Sequence, residues 1–295
     1  MRCIRIGTRE SRLAMVQAEW VQMQLVNAHA DLQVEIVGMT TQGDQVLDKK
    51  LDKIGGKGLF IKELEYALLK GEVDLAVHSA KDLPAKLAEG LCLVATSTRE
   101  DPRDALVCRT GLSWETLPYG AVIGTSSARR ELQILALRPD LNIKLLRGNV
   151  LTRLAKLDQG DFDAIVLATA GLKRLGLAHR MTSSFRTQEM VPAVGQGILA
   201  LEARSDFDSG LLACIHDHSA FFSLQLERSA MIALDGDCST PLGIHAESHY
   251  SGVMVSGFYG KDGTMRRSSE VYPRAEPVEL GQRFAAMLLQ KGVKP

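Results

Sequence analysis

The segment VDLAVHSAKDLP, Val73 to Pro84, reads as a short apolar strand over Val73 to Val77 that runs into a polar loop carrying His78, Ser79, Lys81 and Asp82. In open α/β folds the carboxyl ends of strands are where binding and catalytic groups gather, and a cation beside an anion there is a candidate site. An ordinary connecting loop, with Asp82 capping a helix or pairing with Lys81, would look the same in isolation. A second loaded stretch, DGDCSTPLG from Asp235 to Gly243, sets Cys238 among Gly, Asp, Ser and Thr, where a thiol is accessible enough to react. The other four cysteines, Cys3, Cys92, Cys108 and Cys214, lie in or beside apolar runs and are expected to be small buried hydrophobes. Five scattered cysteines without a C-x-x-C pair argue against a disulfide framework or a zinc site. His216 and His218 alternate in a polar stretch with no third ligand near them, so no metal is expected.

Thirty-five Lys plus Arg balance thirty-five Asp plus Glu, so no bulk field favours nucleic acid or an anionic membrane. Any anion site is therefore local. Arginine does concentrate, at Arg5, Arg9 and Arg12, at Arg129 and Arg130, and at Arg147 and Arg153. Its rigid fork binds carboxylates bidentately, so such groups converging on one cleft suit a substrate with many carboxylates.

The elements that must position these groups follow from periodicity. With 45% apolar and only 5% aromatic residues, the chain is globular with aliphatic cores, and 295 residues suggest two or three domains. Cys3 to Thr8 reads as a strand and Ser11 to Asn27 as a helix, which puts Arg9 and Ser11 at a junction where free amides attract anions. Val34 to Met39 and Leu91 to Thr96 read as strands, LFIKELEYALLKG as an amphipathic helix, and Thr98 to Asp104 as a crossing between domains. A second unit repeats strand and helix, which implies parallel βαβ connections. In GTSSARR a strand ends at Ile123 and a helix opens near Ser126, so Thr125, Ser126 and Ser127 offer hydroxyls where Arg129 and Arg130 supply charge. Either an anion site or a plain N-cap with exposed arginines accounts for this. Toward the C-terminus a helix over Leu224 to Leu234, strand-like GIHAES and GVMVSGFYG, and a final helix over Val278 to Leu289 suggest a small α+β domain. No apolar run reaches the ~18 residues of a membrane span, and MRCIRIGTRES leads at once into a strand pattern. The protein is expected in the cytoplasm.

Together HSAKDLP, DGDCSTPLG, GGKGLF (Gly55 to Phe60), GTSSARR, LRGNVLTRL (Leu146 to Leu154) and VPAVGQG (Val191 to Gly197) make a series that resembles the porphobilinogen deaminases, or hydroxymethylbilane synthases, over nearly the whole chain and in order. The resemblance implies two similar doubly wound α/β domains, periplasmic-binding-protein-like, joined by a hinge, plus a small α+β C-terminal domain. The expected boundaries are 1–98 with 198–217, 99–197, and 218–295. It implies a transferase of haem biosynthesis, acting as a monomer, that joins four porphobilinogens head to tail with release of ammonia to give hydroxymethylbilane. It also implies a dipyrromethane cofactor held by a thioether to Cys238. Asp82 matches the catalytic aspartate, which would stabilise the cationic azafulvene left when ammonia departs. By matching motifs, Lys81, Ser79, Thr125, Ser126, Ser127, Arg129, Arg130 and Arg147 would hold the cofactor. Arg9, Ser11, Arg153, Arg174, Phe60 and Gln196 would line the substrate's place, with Gln196 open between hinge and ligand contact. The family usually has a second Gly where Asp237 stands, and Asp235 and Asp237 beside the thiol would disfavour its thiolate. The competing class is a non-enzymatic two-domain anion-binding protein, since the same halves serve that role; it leaves the Cys238 loop without a purpose.

Overall fold

Ile4 and Ile6 turn inward along β1 (Arg2–Arg9), and Ser11 caps α1 (Arg12–Ala28) by accepting a bond from Ala14 N at 3.4 Å. One face of α1 buries Ala18, Val21 and Leu25 against the sheet. The computed structural model describes residues 2–40, 61–237, 240–261 and 264–291. β2 (Leu32–Met39) pairs parallel with β1 along its length. α2 (Lys62–Leu69) buries Leu64, Ala67 and Leu68 and ends at Gly71, whose φ of 69° suits glycine. β3 (Leu75–Ser79) flanks β1 in parallel, and β4 (Leu91–Thr96) lies at the sheet's far edge.

The second sheet starts after a crossover at β5 (Asp104–Cys108). It continues through β6 (Val122–Thr125), α3 (Ala128–Leu137), β7 (Asn142–Leu145), α4 (Val150–Asp158), β8 (Ala164–Ala168), α5 (Thr169–Arg174) and β9 (Ser183–Ser184). The chain then crosses back as β10 (Leu199–Arg204), which inserts antiparallel between β3 and β4 and completes the order β2-β1-β3-β10-β4. The second sheet has the matching order β7-β6-β8-β5-β9, with β5 antiparallel to β8. In each sheet, then, the strand arriving from a crossover runs against the parallel set. The parallel βαβ connections expected from alternation are present in β1–α1–β2 and β6–α3–β7, and the sheets are nevertheless mixed, because periodicity does not encode the direction of a returning strand.

α6 (His218–Ala233) leads to a meander of β11 (Leu242–His249), β12 (Gly252–Lys261) and β13 (Thr264–Tyr272), covered by α7 (Pro277–Gln290). The architecture is therefore mixed α/β: two sheet–helix domains and a small C-terminal α+β domain. β13 went unread in the sequence because TMRRSSEVY is polar at most positions; only pairing with β12 makes it a strand. α6 starts at His218, six residues before the expected Leu224, behind Asp217, whose carboxylate accepts from Ala220 N at 2.8 Å. The cysteines also differ from expectation. Cys108 is buried and Cys92 half-buried, but Cys3 and Cys214 are exposed, since a residue beside an apolar run still faces outward when it falls on the wrong side of a strand or turn.

Both crossovers are gripped from one point. Glu227 on α6 is fully buried and accepts from Arg99 Nη2 at 2.7 Å, Gly195 N at 2.7 Å and Ala246 N at 2.8 Å. Burial alone would raise this carboxyl, and Arg99 with His245 overcomes that and lowers it. One side chain thus ties the outgoing crossover, the returning crossover and β11. The crossovers also touch: a Cβ at Gly197, where φ is 94°, would meet Glu100 O at 2.2 Å, so only glycine fits.

Candidate active site

Strand β3 extends through Ser79, two residues past the expected end. His78, read as a loop group, is instead buried in the strand, 6% exposed. The chain then tightens into a single 3-10 turn, Ala80–Asp82, fixed by Ala80 N donating to Ile198 O on the returning chain at 3.0 Å. Leu83 is extended ahead of Pro84, which stops the turn and leaves Asp82 exposed at its tip. Ser79 Oγ is held by Gln17 of α1, with Nε2 at 3.0 Å and Oε1 at 3.3 Å. Gln17 was missed in the sequence, although it is a polar side chain beside the apolar stripe of α1, which is a detectable signal.

Opposite this turn stand the openings of two helices. Ser127 caps α3 by accepting from Arg130 N at 3.4 Å, and Thr125 Oγ1 accepts from Ser127 N at 3.2 Å. Two of the three expected hydroxyls are thus engaged in the cap itself. Arg129 and Arg130 in the first turn are neither exposed nor free. They are 4% and 6% exposed and converge on Asp104 at the start of β5, at 2.8 and 2.7 Å. Cations at a helix N-terminus oppose its dipole, and Asp104 offsets that repulsion. Burial would raise the Asp104 carboxyl; the two guanidiniums reverse this and push it well below the usual range. Removing either arginine would leave a buried carboxylate short of a partner, a loss of about 3–5 kcal/mol. These positions therefore carry fold stability as well as charge. Gln196 Nε2 joins the same carboxylate at 3.1 Å and donates to Pro102 O at 2.7 Å. Of its two open roles, the contacts present are those of a hinge tie. Asp104 carried no sequence signal beyond closing the polar run TREDPRD.

α4 opens at Asn149, which accepts from Thr152 N at 2.9 Å. Arg153 Nε donates to Gly148 O at 2.7 Å, and Arg147 on the same turn is 8% exposed. Arg153 is desolvated and lowered to about 10, with Arg130 and Arg147 adding to the fall and Asp82 opposing it. Lys81 is pushed down to about 8 by burial, with Asp82 opposing, Arg130 and Arg129 adding, and Asp104 opposing. These influences put the Lys81–Asp82 turn of one sheet close to the arginines of the other. Among the described residues of this group, cations outnumber the two carboxylates, Asp82 and Asp104.

Other expected residues fall elsewhere. Arg9 is half-buried at the end of β1, on the same edge as the carboxyl end of β3, and Ser11 is the cap of α1. Arg174 Nη2 donates to Gly197 O at 2.7 Å, and Arg174 is lowered to about 10 by burial, with Glu100 opposing. Of the N-terminal cluster, Arg5 pairs with Asp74 at 3.0 Å and Arg12 reaches toward Glu19 at 4.0 Å. Phe60 and Cys238 lie outside the described residues. The stem of the Cys238 loop is described. Asp235 takes a φ of 51°, ending α6 as a glycine would. Asp237 Oδ1 accepts from Thr240 N and Thr240 Oγ1, both at 3.1 Å, and Thr240 Oγ1 accepts from Asp237 N at 3.0 Å. This reciprocal pair brackets positions 238 and 239.

Among the described residues, cations gathered at two helix N-termini near a strand-end turn give this α/β protein the chemistry of an anion-binding site. The chain belongs to the porphobilinogen deaminase family. Residues 4–210 match the model described as "Porphobilinogen deaminase, dipyromethane cofactor binding domain", and residues 221–290 match its C-terminal domain. The chain is 48% identical, over 99% of its length and 96% of the relative's, to the porphobilinogen deaminase of Laribacter hongkongensis (strain HLHK9). It is 47% identical, over 98% of its length and 93% of the relative's, to that of Syntrophotalea carbinolica. The donor set fits the cofactor named in that description, because two linked pyrroles would offer acetate and propionate arms to the desolvated cations Lys81, Arg129 and Arg153. No described helix is long and apolar enough to cross a membrane.

Proposed function

We propose that this protein, as a cytoplasmic monomer, joins four porphobilinogens head to tail and releases one ammonia per unit, giving hydroxymethylbilane for tetrapyrrole biosynthesis. The observation that carries this reading is the pair Arg129 and Arg130 at the opening of α3, 2.8 and 2.7 Å from Asp104 and within electrostatic reach of the Lys81–Asp82 turn. Cys238 would hold the dipyrromethane, which, when bound, supplies the pyrrole carbon to which the first unit is joined. Lys81, Arg129, Arg130 and Arg147, with Ser79, Thr125, Ser126 and Ser127, would engage its carboxylates. Arg9, Ser11, Arg153 and Arg174 would engage those of the incoming unit, against the wall that Phe60 would supply. Asp82 would stabilise the positive charge that develops on the pyrrole as ammonia leaves and again as the chain attacks. The chain is read as three domains, 1–98 with 198–217, 99–197, and 218–295, and the insertion of β10 between β3 and β4 supports the discontinuous first of these. Incubation with porphobilinogen should yield four ammonia per linear tetrapyrrole; a binder without catalysis would release none.

Lys81 gives this reading a pH signature. In the empty cleft it is lowered to about 8, so between about pH 8 and its ordinary value of 10.5 the folded chain holds fewer protons than the unfolded chain. The cost of burying the ammonium is therefore full below pH 8 and fades as pH rises toward 10.5. A bound carboxylate favours the ammonium, so binding above pH 8 takes up a proton and weakens by up to about tenfold per pH unit. Calorimetry with porphobilinogen on a cofactor-free Cys238→Ser chain should show this decline, and Lys81→Arg, ionised throughout, should flatten it.

A further inference from the structure

Behind the Asp82 turn lies a buried charged group that the proposed chemistry does not use. Glu202 on β10 is fully buried, and its Oε2 sits 2.9 Å from His78 Nε2, itself 4% exposed. The contact runs across the β3–β10 pair, in which Ala200 faces His78 and Glu202 faces Ala76. Neither Glu202 oxygen, nor His78 Nε2, has a hydrogen-bond partner among the described residues, so the 2.9 Å approach is a close contact without hydrogen-bond alignment. Two further charged groups feel the Glu202 carboxylate: Glu65 on α2 as a like charge, and Arg228 on α6, 9% exposed, which donates through Nη2 to Ala85 O at 3.0 Å.

A carboxylate held this way is costly, and an apolar replacement of a buried ion pair is often neutral or stabilising. What the group does specify is position. His78 lies four residues before Asp82 and Ala85 three residues after it, so the upstream arm of the turn carries the imidazole against Glu202 and the downstream arm is held by Arg228. Glu65 on α2 adds a third tie, accepting from Ala88 N at 3.0 Å. Arg228 also belongs to the helix that leads into the Cys238 loop. The anchor thereby links the segment holding the turn to the segment that presents the thiol.

We infer that Glu202 is a positioning residue for Asp82, acting through His78 upstream and Arg228 downstream. The inference rests on the reading of Asp82 given above. A carboxylate that stabilises developing charge loses effect steeply when it is displaced by even 1 Å, while remote binding contacts are unaffected. Loss of the Glu202 charge should then lower kcat and spare KM.

The test uses cofactor-loaded protein, with loading verified by intact mass and folding by thermal melting. Glu202→Gln should lower kcat by about tenfold with KM within about twofold of the parent. In an Asp82→Asn background the same change should cost nothing more, because a residue acting only through Asp82 has no effect once that carboxylate is gone. A kcat within about twofold of the parent, or an equal loss in both backgrounds, overturns the inference. Should Glu202→Gln fail to fold or load, Arg228→Met reads the downstream arm, with a loss of about threefold in kcat that again vanishes in the Asp82→Asn background. An unchanged kcat in that variant also overturns it. Near-parent turnover by Asp82→Asn alone would remove Asp82 from the mechanism, which is distinguishable from a silent Glu202.

Discussion

A Cys238→Ser protein should leave purification at the mass of its sequence alone, where the parent weighs more by two linked pyrrole units, and its turnover should fall at least about a thousandfold. A hydroxyl is far less nucleophilic than a thiolate near neutral pH, and the thioether it must replace withstands repeated acid and base chemistry at the neighbouring carbon. The left-handed Asp235 and the Asp237–Thr240 pair are held by contacts of their own, so the change is expected to act on attachment. The variant should still melt lower than the loaded parent. Without the cofactor's carboxylates, Lys81, Arg129 and Arg153 remain desolvated, and a ligand that binds only the folded state adds its binding energy to stability. Inorganic phosphate should restore part of that loss. Full activity at the unmodified mass would end the deaminase reading.

Asp82→Asn should fold and load normally and turn over porphobilinogen at least about a hundredfold more slowly. Opposite charges about 4 Å apart at an effective dielectric near 20 attract by roughly 4 kcal/mol, or about three decades in rate. Part of that is already present in the ground state, because the substrate's aminomethyl group is cationic, so the realised effect is smaller. Asp82 is exposed at the tip of its turn, and the turn is fixed by the Ala80 and Leu83 amides rather than by the carboxylate. A rate loss without a lower melting temperature is the signature of a group that acts on the reacting centre. Near-normal turnover would assign the role elsewhere.

Much of this could be read before the fold was seen. Strand and helix positions came within a few residues because apolar spacing records which face of each element is buried, and the six short motifs carried the family. The groups at Lys81, Asp82, Arg129, Arg130, Arg147 and Arg153 were legible as candidates because charge beside Gly, Pro or hydroxyl residues at strand ends is locally unusual. The third strand of the C-terminal sheet was not legible, since its polar pattern yields no period of its own.

By itself, the sequence determined the chemical inventory: which charges exist, which strand ends carry them, and that one thiol sits in a polar loop. Tertiary structure alone decided what each charge is for. Arg129 and Arg130 looked like free anion binders, yet both meet Asp104, which lies over twenty residues away in the chain. His78 looked like a loop group, yet it is a strand residue 2.9 Å from Glu202, which arrives only when β10 returns. The physical reason is the same in both cases. Exposure and pairing depend on which strand lies alongside, and a crossover that inserts an antiparallel strand from a hundred residues downstream leaves no periodicity in the residues it will neutralise.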